Sequence, residues 1–356
     1  MYQSFTIKNF RCFRELTISP LQRINLIAGM NNVGKTALLE AIFLHLGPNN
    51  PQLSLVINAI RGIEQFALEP EEIWGWLFYD KHINDAMELT SQDKRGKRRS
   101  LQIRLAETEA STLVPPDNGG IPSSGVASPT TAISSRGLIL EYRDASRQPS
   151  TSRAYLTAEG KLQVERAQLE PYPLGVFLGA RVRAFKDDAD RFSKLDRVGR
   201  LDEVLSTVKL LEPRLRRLAL LMTGGVPMVN GDIGLEELVP VPLMGEGIVR
   251  LLSIVLSIAN ARGGTVLIDE IENGLHYSLM VKVWKAIAHA ARESKAQIFA
   301  TTHSWECIKA AHEAFTDGDS YDFRLHRLER VDDEIKAVTY TQRMLDTAIA
   351  TGLEVR

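Results

Sequence analysis

Eight residues, "GMNNVGKT" from Gly29 to Thr36, fit the pattern G-x-x-x-x-G-K-[ST]. Glycines in such a loop let backbone N–H groups wrap phosphate oxygens, the lysine reaches the β- and γ-phosphates, and the final hydroxyl ligates Mg²⁺. At average residue usage the bare pattern arises by chance in roughly 1% of chains of this length, so the flanking sequence decides. The nearly all-apolar run "INLIA" (Ile24 to Ala28) precedes it and reads as a buried strand. "KTALLEAIFLHL", rich in helix formers with apolar residues at helical spacing, follows it. Strand, loop and helix in that order predict a nucleotide site. Its binding set is Gly29, Asn31, Asn32, Val33, Gly34, Lys35, Thr36 and Ala37.

A second constellation lies in "TVLIDEIENGLH". Asp269 follows four residues that should be buried, so it emerges at the C-terminal edge of a sheet, where ligands bind in open α/β folds. A carboxylate there holds the Mg²⁺ hydration shell opposite Thr36, which makes Thr36 and Asp269 the predicted metal pair. Glu270 leaves the strand and is placed to take a proton from an attacking water. In "FATTHS", Thr301 and Thr302 lead His303 out at the same edge, within reach of a γ-phosphate. Glu270 and His303 are thus the predicted catalytic residues. Two solvated carboxylates and a structural histidine would be the bland alternative, and the phosphate loop argues against it.

The third feature is "PLMGEGIVR", Pro242 to Arg250, just ahead of the apolar run "IVRLLSIVLSIA". Helix interiors disfavour glycine, so Gly245, Glu246 and Gly247 mark a helix entrance, whose free N–H groups attract an anion. A tight turn before a core helix is the competing reading.

These residues need a sheet to hold them. "SFTIKNF" and "RELTIS" alternate apolar and polar residues and predict two antiparallel strands leading into "INLIA". "TVLI" and "QIFATT" predict two more buried strands, with the amphipathic helix "SLMVKVWKAIAHAARESK" between them. That alternation predicts a parallel, doubly wound α/β sheet. In the middle, "SLQIRLA" and "GLILEYR" read as strands separated by a Pro-, Gly- and Ser-rich loop from Ser111 to Gly137. "DRFSKLDRVGRLDEVLSTVKLLEPRLRRLALLM" reads as mostly helical, with Pro213 at a break or a helix start. No heptad repeat is sustained, which excludes a long coiled-coil arm.

Composition narrows the class. The 356 residues are 44% hydrophobic and 24% charged with a formal net charge of −1, ordinary for a globular protein and without a global pull toward nucleic acid. Two cysteines, Cys12 and Cys307, lie far apart, so neither a disulfide framework nor a zinc site is expected and a reducing cytoplasm fits. No apolar run reaches the ~18 residues of a membrane span, and the N-terminus lacks a signal pattern. The basic run "KRGKRR" (Lys94 to Arg99) is the one cluster with the charge to meet nucleic acid, DNA included, and a solvated hairpin tip is the favoured reading. Trp74 and Trp76 read as core or interface anchors rather than base-stacking platforms. "DGD" at Asp317 to Asp319 and "DDE" at Asp332 to Glu334 read as solvated turns.

Phosphate loop, Asp-Glu, post-strand histidine and an upstream Gly-containing helix entrance together resemble the ABC-type ATPase heads. That superfamily includes transporter subunits, SMC-like proteins, RecF and the OLD-type nucleases. The resemblance implies ATP and Mg²⁺ as ligands and a homodimer or higher homo-oligomer closing head to head around ATP. It also implies a trans signature, here Gly245, Glu246 and Gly247, meeting the γ-phosphate held by the facing subunit. Transporters carry a Ser-Gly-Gly-Gln type signature, and its serine is missing here. "NFRCF", "GMNNVGKTALLEAIF", "LIDEIENGLH" and "ATTHSWE", spread over about half the chain at its two ends, are similar to the OLD-type ATPase domain. RecF-like heads carry Asp-Asp where Asp269-Glu270 stands. That difference leaves an ATP-gated RecF-like repair clamp second, and a transporter motor third.

OLD-type proteins continue into a TOPRIM nuclease domain, for which the stretch after His303 is too short. The resemblance therefore implies an ATPase subunit working with a separate TOPRIM-type nuclease in defence against phage or plasmid DNA. The expected organisation is a single head over 1–356. Residues 1–60 form an N-terminal β region with the phosphate loop, 61–235 a β/helical insert, and 236–356 the signature, Asp-Glu and histidine region.

Overall fold

A computed structural model describes residues 1–63, 69–108, 135–144, 148–157, 161–169, 172–180, 185–318 and 320–355. Its centre is a six-stranded sheet in the order Glu334–Tyr340, Phe323–Val331, Ile24–Ala28, Gln297–Thr301, Thr265–Ile268, Gly175–Leu178. The last five strands are mutually parallel, and Glu334–Tyr340 closes one edge antiparallel. Every residue of "INLIA", "TVLI" and "QIFAT" is buried, as parallel strands covered on both faces require. Pleat alternation splits them between two cores. Leu26, Ala300 and Ile268 face one, and Ile27, Phe299 and Leu267 face the other.

On the Ile27 side lies the helix Lys35–Leu46, and beyond it a seven-stranded antiparallel sheet. That sheet runs Phe13–Ile18, Tyr2–Phe10, Met87–Asp93, Arg98–Thr108, Ser135–Asp144, Ser150–Leu156, Leu162–Glu165. Sandwiched in this way, the helix buries residues on all its sides, Glu40 and His45 included, which its lack of a polar stripe demands. Buried Glu40 is met by Arg11 at 3.2 Å and Arg61 at 2.5 Å. The Leu26 side is covered by the helices Phe185–Asp196, Leu201–Val208, Glu246–Asn260, Met280–Glu293 and Trp305–Thr316. This two-sheet α/β architecture with a helical subdomain is that of an ABC-type ATPase head.

One expectation is corrected. The segment "RLALLMT" is not helical: Arg217–Thr223 is a strand paired with Val226–Asp232, which in turn pairs with Val239–Pro240. The reason is the two-residue connection Gly224-Gly225, where both residues have positive φ, the turn that a tight hairpin needs. The helices Phe185–Asp196 and Leu201–Val208 fall where expected.

The expected loop from Ser111 to Gly137 lies mostly outside the described residues, and its end is already strand from Ser135 onward. Lys94 to Lys97 form a hairpin tip, with the Asp93 carboxylate accepting from the backbone N–H of Arg95 and Lys97. Asp332 and Asp333 make the exposed turn before Glu334–Tyr340. Asp319 lies outside the described residues. Among the described residues, no helix is long and apolar enough to cross a membrane.

Candidate nucleotide site

The loop Gly29–Thr36 joins the Ile24–Ala28 strand to the buried helix, and two of its glycines are fixed by close packing. A Cβ on Gly29 would sit 2.4 Å from the Leu328 carbonyl oxygen, and one on Gly34 would sit 2.6 Å from both Cys12 Sγ and the Phe13 ring. No side chain caps the helix that starts at Lys35, so its first N–H groups are left for a ligand. Val33 and Ala37 bury their side chains and offer only backbone, whereas Asn31 and Asn32 are exposed. Lys35 Nζ donates to the Gly29 and Met30 carbonyl oxygens, each at 2.7 Å. Burial pulls the Lys35 ammonium down to about 8, against the opposing pull of the Asp269, Glu272 and Glu270 carboxylates.

The parallel register sets Ile268 beside Ala300 and Thr301 beside Ile27, so three strands release their chains at one edge. There the Thr36 hydroxyl lies 3.1 Å from both Asp269 carboxylate oxygens, and Thr301 Oγ1 donates to Asp269 Oδ1 at 2.7 Å. Thr301 Oγ1 also accepts from the Glu270 backbone N–H at 2.8 Å. A hydroxyl and a carboxylate converging in this way are the hard oxygen donors that Mg²⁺ takes, with phosphates and waters completing its shell. No cluster of three or more His, Cys, Asp or Glu able to hold a metal by itself occurs among the described residues.

Glu270 has φ 48°, a left-handed backbone that a non-glycine residue adopts only when its surroundings enforce it. The turn throws its carboxylate away from the strand, where Asn273 Nδ2 donates to Oε2 at 2.7 Å and His303 Nε2 lies 3.6 Å from Oε1. Both side chains remain more than a third exposed. His303 lines the cleft that contains Lys35 and Thr36, whose volume is about 660 Å³, and Glu270 stands beside it.

Several residues here escaped the sequence reading. Glu272 Oε1 accepts from the His303 N–H at 2.8 Å and so fixes the histidine turn. The half-buried Arg250, on the helix Glu246–Asn260, donates to the Asp269 carbonyl at 2.6 Å and to the Gly179 carbonyl at 3.2 Å, bracing the Asp-Glu strand end from behind. Arg11, Arg61, Trp76 and Lys81 line the nucleotide cleft beside Lys35. Trp74 is core, as expected, its indole N–H donating to Ser54 Oγ at 3.0 Å. Trp76 is 62% exposed and is not core.

The helix entrance stands apart from this cleft. Gly245, exposed and with φ 116°, precedes the first helical residue, Glu246, and a Cβ on Gly247 would lie 3.2 Å from the Gly274 carbonyl. The entrance thus packs on the turn that follows Glu270, while Glu246 lines a separate cleft with Asp188 and Arg250. The structure brings the eight loop residues, Asp269, Glu270 and His303 together and leaves Gly245, Glu246 and Gly247 outside their cleft.

Residues 24–306 match a family described as "AAA domain, putative AbiEii toxin, Type IV TA system". Along nearly the whole chain, a protein of Helicobacter pylori described as an ATP/GTP phosphatase is 24% identical over 360 residues, covering 96% of this chain and 95% of that one. A 42-residue stretch is 48% identical to the DNA replication and repair protein RecF of Idiomarina loihiensis, covering 12% of each chain. In fold, the chain is similar to an SMC head solved in complex with the C-winged helix domain of ScpA, with a TM-score of 0.50, 13% identity, and coverage of 98% of this chain and 99% of that one. With more than half its length in the match, the chain belongs to this AAA-domain family.

Proposed function

We propose that the protein binds ATP with Mg²⁺ and hydrolyses it, as one subunit of a head-to-head dimer or higher homo-oligomer. The observation that carries this is the meeting of the Lys35 loop, the Thr36–Asp269 pair, Glu270 and His303 at a single sheet edge. Lys35 and the loop N–H groups hold phosphate, and Thr36 with Asp269 would hold Mg²⁺, which supplies charge stabilisation to the phosphates. Glu270 orients the water and takes its proton, and His303, 3.6 Å from the Glu270 carboxylate, senses the γ-phosphate. All of 1–356 serves as one head.

Gly245, Glu246 and Gly247 serve the nucleotide of a facing subunit. The exposure of Gly245 and Glu246, and the absence of all three from the lining of their own subunit's cleft, support that role. The biological role that follows is prokaryotic defence of the OLD type, with a separate TOPRIM-type nuclease under ATP control. The family's description, which names a toxin and a type IV TA system, supports a place in such conflict systems. Phosphate release from MgATP by purified wild-type protein, lost in Lys35→Ala, tests the enzymatic core. Equal release by both proteins would refute it.

A further inference from the structure

We propose that Trp76 is the platform on which the nucleotide base stacks, an inference that rests on the nucleotide-site reading above. The cleft that holds Lys35, Thr36 and His303 is also lined by Trp76 and Lys81. Trp76 is 62% exposed although its neighbours Trp74, Leu77 and Phe78 are buried almost completely. An indole left in solvent by a segment otherwise sunk into the core asks for an occupant, since burying it would release apolar surface from water.

The mount is rigid and tied to the phosphate loop. The Arg11 N–H donates to the Leu77 carbonyl at 2.7 Å, and Arg11 Nη1 donates to the Trp76 carbonyl at 3.2 Å. The same Arg11 is held by buried Glu40 on the helix that starts at Lys35, and Cys12, next in sequence, abuts Gly34. The Trp76 segment and the phosphate loop are therefore tied to one another through a few side chains. The indole is also oriented. Asp80 and Lys81 both take left-handed backbone, φ 48° and 53°, and Lys81 Nζ sits 3.9 Å from the centre of the Trp76 ring. A cation lies over one face of the ring, at cation–π distance, and the indole as a whole is 62% exposed, with surface left for a flat ligand.

A nucleobase meets these requirements. Stacking needs only a π-face, so this contact binds purine bases without selecting among them by hydrogen bonds. ATP and GTP should depend on Trp76 alike.

Equilibrium binding of ATP, GTP and inorganic tripolyphosphate to the full chain tests the assignment, with Trp76→Ala and Trp76→Phe as variants. Because the indole lies mostly in solvent, both variants should fold. Trp76→Ala should weaken ATP and GTP by roughly 5- to 150-fold, the loss of one base–aromatic stack, and leave tripolyphosphate unchanged. Trp76→Phe should recover most of the loss. Unchanged ATP affinity in Trp76→Ala overturns the proposal, as does an equal loss for tripolyphosphate, which would mean that Trp76 only supports the loop. Wild-type protein that binds tripolyphosphate as tightly as ATP also overturns the stack while leaving the phosphate site standing. Wild-type protein that binds neither overturns both.

Discussion

Thr301→Val removes one oxygen from the centre of the site and almost nothing else. Thr301 is fully buried, and valine nearly matches its shape but lacks the hydroxyl. That hydroxyl donates to Asp269 Oδ1 at 2.7 Å and accepts from the Glu270 N–H at 2.8 Å. A hydrogen bond to a charged group contributes about 1.5–3 kcal/mol, and an unpartnered buried N–H costs about 1–3 kcal/mol. The two losses share one atom and do not simply add, so the variant should lose roughly 2–5 kcal/mol of stability. Chemistry should suffer as well, because the same bond holds the left-handed Glu270 backbone that aims the carboxylate. A displacement of that kind costs up to about a hundredfold in rate. Urea unfolding and phosphate release read the two effects, with Thr301→Ser, which keeps both bonds, as the control. A valine variant as stable and as fast as the wild type would show that the hydroxyl does not organise the site.

Three further outcomes are expected. Burial holds Lys35 at about 8 in the free protein, while phosphate binding needs the ammonium. ATP affinity should therefore fall by up to about tenfold per pH unit above 8, and a flat dissociation constant from pH 7 to 9.5 would contradict this. The same shift, from 10.5 down to about 8, means that the unfolded chain keeps a proton the folded one has lost in that window. The free protein should then gain stability as pH rises through it. Gly245→Asp should abolish ATPase activity yet leave ATP binding by Lys35 and Thr36 intact, and mixing it with Lys35→Ala should restore activity through one intact composite site. Since Gly245 has φ 116°, where any side chain strains the backbone, Gly245→Ala serves as the strain control. Full activity of Gly245→Asp alone would reduce the glycine to a turn before a core helix.

Much of the site was legible because its chemistry is local. Gly29 to Thr36 is one loop, and Asp269, Glu270 and His303 each end an apolar strand, so period and type sufficed to put them at one edge. What stayed hidden depends on distant pairing. Arg250 reads as a polar residue on an apolar helix, and only the fold shows its guanidinium behind Asp269. Glu272 meets the His303 N–H across the strand order. Arg11 and Arg61 come together on Glu40 from separate segments. "RLALLMT" is ambiguous because its apolar residues suit either period, and the signal that decides for a strand lies just beyond it, in Gly224-Gly225. For Trp76 the sequence leaves core and interface open, because an aromatic among apolar neighbours gives no sign of the face it turns to solvent, and the structure excludes the core.

The central claim, that Glu270 takes the proton from the water attacking ATP held by Lys35 and Thr36, is tested most directly by Glu270→Gln. Phosphate release and MgATP binding should be measured on the same preparation. Glutamine keeps the size of the side chain and its capacity to pair with Asn273, but it cannot take the proton. Binding should stay within about twofold while hydrolysis falls roughly 10²- to 10⁴-fold. Phosphate release at the wild-type rate from a variant that binds MgATP normally would remove Glu270 from the chemistry.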